Sequence, residues 1–186
     1  MARLGVGLMV IAQKPWEAVQ ADLAGYRIRF RELNGQEPSK PILNVFVAVH
    51  EDAAEAQRMR DTYLQRYARS TVEHYQFDNM KFADIEGYEY YAGLARNIAK
   101  HGLDKFNGFL ADLQVWGTPQ QVTEQLIQRV GLIDAGALLV MLSYGGMLPD
   151  VAKANYDLFT SKVLPAIKVH QVGGDIGVRH HEPLAA

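Results

Sequence analysis

The sequence predicts an α/β protein built on a parallel sheet, and three observations lead to this prediction. Three apolar, β-branched runs are each followed by a segment in which apolar residues recur at helical spacing. The runs are apolar on both faces, which is typical of parallel strands that are covered on both sides. Proline and glycine residues mark the ends of the segments. This alternation of strand and helix is the one that right-handed βαβ crossovers produce.

The composition is that of an ordinary globular chain and excludes several functions. Of the 186 residues, 48% are hydrophobic, and the formal net charge is -2, so no broad basic surface is available for nucleic acid or anionic lipid. Cysteine is absent, which excludes disulfides, thiolate metal sites and a cysteine nucleophile, and we expect a cytoplasmic location. The apolar run at residues 1–12 is too short to cross a bilayer. A buried strand is preferred there over a weak signal peptide.

The first predicted strand lies between Gly5 and the turn at Lys14-Pro15. A helix begins at Pro15, because proline suits the first helical position, and it ends at Asn34-Gly35, which can adopt the left-handed conformation that closes a helix. Its inner face is formed by apolar residues at spacings of three and four. These are Trp16, Val19, Leu23, Tyr26, Phe30 and Leu33.

The second predicted strand spans Pro41 to His50. Asp52 is the expected N-cap of the next helix, and Glu55 is expected to complete a capping box with it. This helix can continue to about Tyr75. Its apolar face comprises Ala56, Met59, Tyr63 and Tyr67.

Residues 76–112 form an insertion that is rich in aromatic side chains and weak in periodicity. We predict a loop, a short helix over residues 87–101 closed by Gly102, and a second loop. Because a soluble monomer rarely exposes such a cluster, the insertion must pack against the rest of the chain. Its aromatic residues are Phe77, Phe82, Tyr88, Tyr90, Tyr91, Phe106 and Phe109.

The third predicted strand spans residues 137–143 and lies between two helices. The first helix starts at Thr118, which can form a capping box with Gln121, and Gly131 is its expected end. The second starts soon after the strand and is expected to be disturbed at Pro165. Three strands alone would leave two bare edges, whereas a closed (β/α)8 barrel needs eight. Either another chain completes the sheet or these strands belong to a larger fold.

Polar and glycine residues at the carboxyl ends of the strands are the candidate site, because α/β proteins bind ligands there. Tyr144, Gly145 and Gly146 follow the third strand, and the glycines would let a ligand approach the main chain. Gln13 follows the first strand and could hydrogen-bond a planar polar ring. The alternative is that these residues form plain βα turns.

Three further groups are weaker candidates. His50, next to acidic residues, could transfer protons or could simply end its strand. Gly5 and Gly7 match half of a dinucleotide fingerprint but precede the apolar run, so we interpret them as easing entry into the strand. The pair His180-His181 lies in a glycine-rich tail, residues 169–186, which we expect to be mobile. No metal site is predicted, although Asp175 and Glu182 are near this pair.

Several segments together resemble the C-terminal part of bacterial-luciferase-like, flavin-dependent monooxygenases. The resemblance covers about residues 1–168, and the order and spacing of the segments carry it more than any single motif. The segments are residues 2–10 (ARLGVGLMV), 47–56 (VAVHEDAAEA), 87–91 (GYEYY), 115–122 (VWGTPQQV), 143–147 (SYGGM), 158–159 (LF) and 162–165 (KVLP).

The resemblance implies a (β/α)8 barrel of which the predicted strands are the sixth, seventh and eighth, so that this chain is a partial TIM barrel with an aromatic-rich insertion. It also implies reduced FMN, or a deazaflavin in some branches, that activates O2 at the flavin C4a to oxygenate a small organic substrate. A flavin reductase is an implied partner. Flavin chemistry belongs largely to the cofactor, which the protein positions and shields from water.

The resemblance implies a flavin wall formed by Gln13, Tyr144, Gly145 and Gly146, while none of the family's catalytic residues has a match here. The family's first five strands have no counterpart in these residues. We therefore expect either the C-terminal portion of an enzyme, completed by an N-terminal half or by homo-oligomerisation, or a non-catalytic interaction module that pairs through exposed sheet edges.

Overall fold

A computed structural model of the chain describes residues 1–82, 85–86 and 88–170. The strands in these ranges are β1 (Met9–Ile11), β2 (Ile42–Val49), β3 (Val115–Gly117) and β4 (Ala137–Met141). The α-helices are α1 (Trp16–Asn34), α2 (Ala53–Met59), α3 (Gln65–Tyr75), α4 (Glu89–His101), α5 (Leu103–Asp112), α6 (Pro119–Ile133), α7 (Pro149–Leu158) and α8 (Leu164–Val169). Two π-helical turns, Arg60–Leu64 and Phe159–Val163, join α2 to α3 and α7 to α8. Short 3-10 helices span Ala2–Leu4 and Met80–Phe82.

The sheet is parallel throughout and is centred on β2. Strand β1 pairs with the start of β2, from Ile42 to Asn44, and β4 pairs with β2 from Ile42 to Phe46. Strand β3 pairs with the last residues of β2, from Val47 to Val49. The predicted parallel α/β architecture is therefore confirmed. The sequence pattern missed β3 because three residues are too short to establish a period of two.

Helices cover the two faces of the sheet unequally. On one face, alternate residues of β2 pack with α1, α6 and the second π turn into the main core, whose β2 members are Leu43, Val45, Val47 and Val49. On the other face, α2, the first π turn and α3 run on continuously, and we call them together the α2–α3 rod. This rod covers only the carboxyl end of the sheet, where Ala48 packs against Met59 and Leu64. The amino-terminal part of that face is open. There Met9 is 52% exposed, Ile11 42%, Ile42 38% and Leu139 41%. The prediction that the first strand is buried on both faces is thus wrong.

The aromatic insertion begins earlier and is more helical than predicted. Helix α6, which connects β3 to β4, packs in the main core, whereas α2–α5 between β2 and β3 form the inserted layer on the opposite side. Residues predicted as a loop after Gly102 form α5, because Phe106 and Leu110 bury on one helical face despite the unfavourable Asn107-Gly108 pair. The predicted packing of the insertion is confirmed: Phe77, Leu94, Phe106 and Leu110 share a second core.

Helix ends agree with the prediction at the N-caps and differ elsewhere. Asp52 accepts hydrogen bonds from the main-chain N–H groups of Ala54 and Glu55, but the Glu55 carboxylate pairs with Arg58 and forms no capping box. The capping box between Thr118 and Gln121 is present.

One predicted helix boundary is wrong. Helix α6 continues past Gly131 to Ile133 and ends at Asp134, which takes the left-handed conformation. The expected disturbance near Pro165 is present as the π turn Phe159–Val163, after which the helix continues as α8 because the wide turn accommodates the missing N–H. No helix within residues 1–82, 85–86 and 88–170 is long and apolar enough to span a membrane.

Candidate functional site

The carboxyl ends of β1, β2 and β4 bring the predicted site residues to one edge of the sheet. Gln13 follows β1, His50 follows β2 and Tyr144 follows β4. The α2–α3 rod lies over this edge, and its π turn faces the β4 loop. Gln13 and Tyr144 both contact Tyr67 of α3. The side chain of Gln13 hydrogen-bonds with the Tyr67 hydroxyl, and the ring of Tyr144 lies against the Tyr67 ring.

An aromatic cluster lies at the centre of this edge. The ring of Phe46 stacks on that of Tyr67 with centroids 3.8 Å apart, and its edge meets Tyr144 at 5.2 Å. The rings of Tyr67 and Tyr144 are 6.4 Å apart. Burial raises the pKa of Tyr67, while hydrogen bonds with the side chains of Thr71 and Gln13 act in the opposite direction. Sequence reasoning missed the role of Phe46 and Tyr67, which were assigned only to a buried strand and a helix face.

The hydroxyl group of Tyr144 is buried and has no hydrogen-bond partner among the described residues. Burial raises the pKa of this hydroxyl well above its ordinary value, so the group is a neutral donor at physiological pH. A buried hydroxyl without a partner costs free energy. Such a group is a candidate for contact with a ligand.

The two glycines after Tyr144 have different surroundings. Gly145 has φ +58° and packs on the α2–α3 rod, where an added β-carbon would lie 2.3 Å from the carbonyl oxygen of Tyr63. Gly146 has φ +69°, and nothing lies within 4 Å of an added β-carbon. Close packing therefore accounts for Gly145, whereas Gly146 presents open main chain. The predicted contact of either glycine with a cofactor stays a prediction.

Two buried amide side chains that sequence reasoning missed fix this edge of the sheet. Gln114 is fully buried; its Oε1 accepts from the N–H of Phe46 (3.2 Å) and its Nε2 donates to the carbonyl of Ala12 (2.9 Å). Asn155 accepts from the N–H of Val49 (2.8 Å) and donates to two strand carbonyls. The sequence signal for Asn155 was its place on the inner face of the last helix, four residues after Val151 and four before Phe159.

His50 lies apart from the aromatic cluster, in a cavity of about 540 Å³ between α2 and α7. Its Nδ1 accepts a hydrogen bond from the N–H of Asp52 at 3.0 Å. Arg58 and Asp150 also line this cavity. The proton-transfer role of His50 stays a prediction.

The other weak candidates have structural roles or lie outside the described residues. Gly5, at φ +63°, closes the first 3-10 helix, and Gly7 packs on Ser39, where a β-carbon would lie 2.7 Å from the Oγ atom. His180-His181 and most of the tail from residue 169 lie outside the described residues. In the described ranges, no group of three or more His, Asp or Glu side chains could hold a metal ion.

Comparisons with solved structures show the same fold in larger proteins. The chain is 20% identical to a monooxygenase from Streptomyces bottropensis, with a TM-score of 0.57, covering 88% of this chain and 43% of that one. The chain is also 20% identical to the oxygenating constituent of 3,6-diketocamphane monooxygenase from Pseudomonas putida, a structure in complex with FMN; the TM-score is 0.57, and the match covers 89% of this chain and 44% of that one. It is 17% identical to EDTA monooxygenase from Chelativorans sp. BNC1, with a TM-score of 0.58 and a match that covers 90% of this chain and 41% of that one.

The chain thus spans less than half the length of these relatives, and its architecture is that of a partial luciferase-like (β/α)8 barrel. A search of curated proteins finds no match. The sequence profile described as luciferase-like monooxygenase matches residues 1–135. The chain therefore belongs to the luciferase-like monooxygenase family.

Proposed function

We propose that this chain supplies one wall of the active site of a flavin-dependent monooxygenase, in which reduced flavin and O2 oxygenate a small organic substrate. Membership of the luciferase-like monooxygenase family supports the class of reaction. The observation that carries the placement of the site is the buried, unpartnered hydroxyl of Tyr144 at the carboxyl end of β4.

The residues at this edge fit a flavin ring. Tyr144 offers a desolvated donor, Gly146 offers main chain that a ring can approach, and Phe46 and Tyr67 form an apolar surface beside them. Gln13 can donate and accept hydrogen bonds. FMN is proposed ahead of a deazaflavin because one of the solved relatives is in complex with FMN.

In this proposal the chain positions the cofactor and excludes water. When bound, reduced FMN supplies the electrons for the reduction of O2. The hydroxyl of Tyr144 donates to a polar atom of the ring, and Tyr67 holds the side chain of Gln13 toward it. The aromatic cluster keeps solvent from the reacting face. Gly145 sets the position of the loop by packing on Tyr63.

A second candidate function is that of an interaction module. Such a module would pair through the exposed edges of the sheet, and the open sheet face, with Met9, Ile11, Ile42 and Leu139 exposed, would pack against the partner. We propose that the rest of a barrel covers this face in the active protein, either as an N-terminal half or through homo-oligomerisation, and that a flavin reductase supplies reduced flavin.

We also propose a cytoplasmic location, which rests on the cysteine-free sequence alone.

Thermal unfolding with and without excess FMN tests the flavin proposal. A ligand that binds only the folded chain stabilises it by about 2.7 kcal/mol at 100 times its Kd, so the unfolding midpoint should rise. The Gly146→Val variant should lose this rise, because its side chain would occupy the space that the ring needs. An unchanged midpoint with FMN would contradict flavin binding by this wall alone and favour the interaction module. An unchanged rise in Gly146→Val would contradict the placement of the ring.

A further inference from the structure

A second apolar concavity lies between helices α4 and α5, away from the cavity beside His50. The two helices diverge from Gly102, whose φ of +90° sets the corner, and they enclose a groove of about 570 Å³ that we call the α4–α5 groove. Leu94, Phe106 and Phe109 line its apolar part. This volume is within the range of small-molecule sites.

A glycine in one wall contributes to the space inside the groove. Gly93 is half-buried within α4, lines the groove, and has nothing within 4 Å of an added β-carbon. Glycine destabilises a helix interior relative to other residues, so packing within the described chain does not account for this choice. The missing side chain leaves room for a bound molecule.

The charges along the groove are asymmetric. His101 and Lys105 line its corner end, and neither side chain forms a hydrogen bond or ion pair in the part of the chain that the structure describes. Glu89 lines the opposite end. The rise of a helix places Glu89 about 18 Å from His101 along α4. Lys105 supplies a positive charge and His101 a ring N–H donor, so an anionic group is favoured at the corner end.

The opposite end of the groove reaches the proposed flavin wall. Pro15 and Tyr90 line that end, and the hydroxyl of Tyr90 donates to the main-chain carbonyl of Gln13 at 3.2 Å. The ammonium of Lys14 lies 4.7 Å from the centre of the Tyr90 ring and pairs with Asp22. A molecule lying along the groove would thus extend from His101 and Lys105 toward the carboxyl end of β1.

We propose that the α4–α5 groove binds an amphipathic organic anion, with its acidic group near His101 and Lys105 and its apolar body along Gly93 and Leu94 toward Pro15. This inference rests on the proposed function in one respect, which is that such a molecule would be the substrate class of the monooxygenase. Binding itself depends only on the groove.

Calorimetric titration of the flavin-free chain with decanoate, decanol and decylamine tests the proposal. Decanoate should bind more tightly than decanol, and decylamine more weakly than either. The double variant His101→Gln/Lys105→Gln should weaken decanoate binding about threefold, the effect of losing an exposed charge, and leave decanol binding unchanged. Lys100→Gln, next to His101 and outside the groove lining, is the matched charge control.

A Gly93→Leu variant tests the location. Leucine favours the helix, so the variant should fold, and its side chain should fill the groove and weaken decanoate at least about tenfold. Gly25→Leu, at an exposed position of α1 with nothing within 4 Å of its added β-carbon, is the matched control and should bind decanoate as the unmodified chain does.

The proposal is overturned if decanoate does not bind, if all three probes bind equally, or if Gly93→Leu retains full affinity. None of these results bears on the flavin proposal, which the FMN-dependent shift in the unfolding midpoint tests. If that shift is absent while decanoate still binds, the flavin proposal is overturned and the proposal for the α4–α5 groove stands.

Discussion

Gly145 packs directly on the main chain of Tyr63, so that a β-carbon at Gly145 would lie 2.3 Å from the Tyr63 carbonyl oxygen. The contact joins the loop after β4 to the first π turn, which includes Tyr63. The position of Tyr144, one residue earlier, therefore depends on this main-chain contact in addition to its ring contacts with Phe46 and Tyr67.

Gly145→Ala should destabilise the chain by about 3 kcal/mol, because it adds a steric clash to the strain of a positive φ. Gly146→Ala has the same φ strain without the clash and should cost only about 1 kcal/mol. Urea unfolding followed by circular dichroism measures both values. Equal losses would show that the Gly145–Tyr63 contact does not hold the loop.

Asn155→Ala should destabilise the chain by at least about 3 kcal/mol, since it leaves the N–H of Val49 and the carbonyls of Val47 and Leu142 unpaired in the core. Exposed Asn97 is the matched control, and its replacement by alanine should change the unfolding free energy by less than about 0.5 kcal/mol. A small loss for Asn155→Ala would mean that water replaces the amide.

Tyr144→Phe should stabilise the isolated chain by about 1 kcal/mol, because it removes a buried hydroxyl that has no partner. Under the proposed function it should also weaken FMN. Chemical unfolding and FMN titration of the same variant measure the two effects. A destabilised variant would reveal a partner for the hydroxyl in the free chain.

Tyr144 should also make stability depend on alkaline pH. The pKa of Tyr144 in the folded chain lies above its unfolded value of 10.0. The free energy of unfolding therefore receives its full contribution from this protonation equilibrium below about pH 10, and the contribution is lost as the pH rises toward the folded pKa. Arg129 acts in the opposite direction, because burial lowers its pKa to about 10, so stability rises as the pH increases above about 10.

Comparing the unmodified chain with Tyr144→Phe isolates the tyrosine, since Arg129 is common to both. The stability advantage of Tyr144→Phe should grow by about 1 kcal/mol between about pH 10 and about pH 11. Unfolding free energies at the two pH values provide the test. A constant difference would mean that the folded chain exposes the hydroxyl.

Leu139→Lys should reduce self-association without loss of stability, because Leu139 is 41% exposed on the open sheet face. Leu132→Lys is the control: Leu132 is 37% exposed on α6, away from that face, and its replacement should leave association unchanged. Sedimentation at several concentrations measures both. A monomer at every concentration in the unmodified chain would argue against homo-oligomerisation through this face.

The sequence predicted the elements that have strong local signals and missed those that depend on distant contacts. The runs at Pro41–His50 and residues 137–143 are apolar enough to identify β2 and β4, and the Thr118 cap is encoded within four residues. Strand β3 forms only because β2 is available to pair with it, and α5 forms because Phe106 finds the second core. Neither partner is visible in the local pattern.

The candidate site was predictable to the same extent. Gln13 and Tyr144 were predicted because the sequence marks where the strands end. Tyr67 contacts both residues from a helix that lies more than fifty positions along the chain from Gln13, and the local pattern does not show this contact. Gly145 and Gly146 are indistinguishable in sequence, and only the approach of Tyr63 separates their roles. Periodicity identifies which face of a helix is inward, not which residue it will meet there.

Because of the π turn at Phe159–Val163, the continuity of the last helix depends on the number of residues in this turn rather than on their identities. A π turn holds one residue more than an α turn, so deleting any single residue within it would tighten the coil and bring the Pro165 ring against the carbonyl of the residue that then precedes it by four positions. Substitutions at half-buried Thr160 or exposed Ser161 leave that spacing intact. Length variation in homologous chains should therefore avoid this turn and accumulate in the loops that follow α1 and α3.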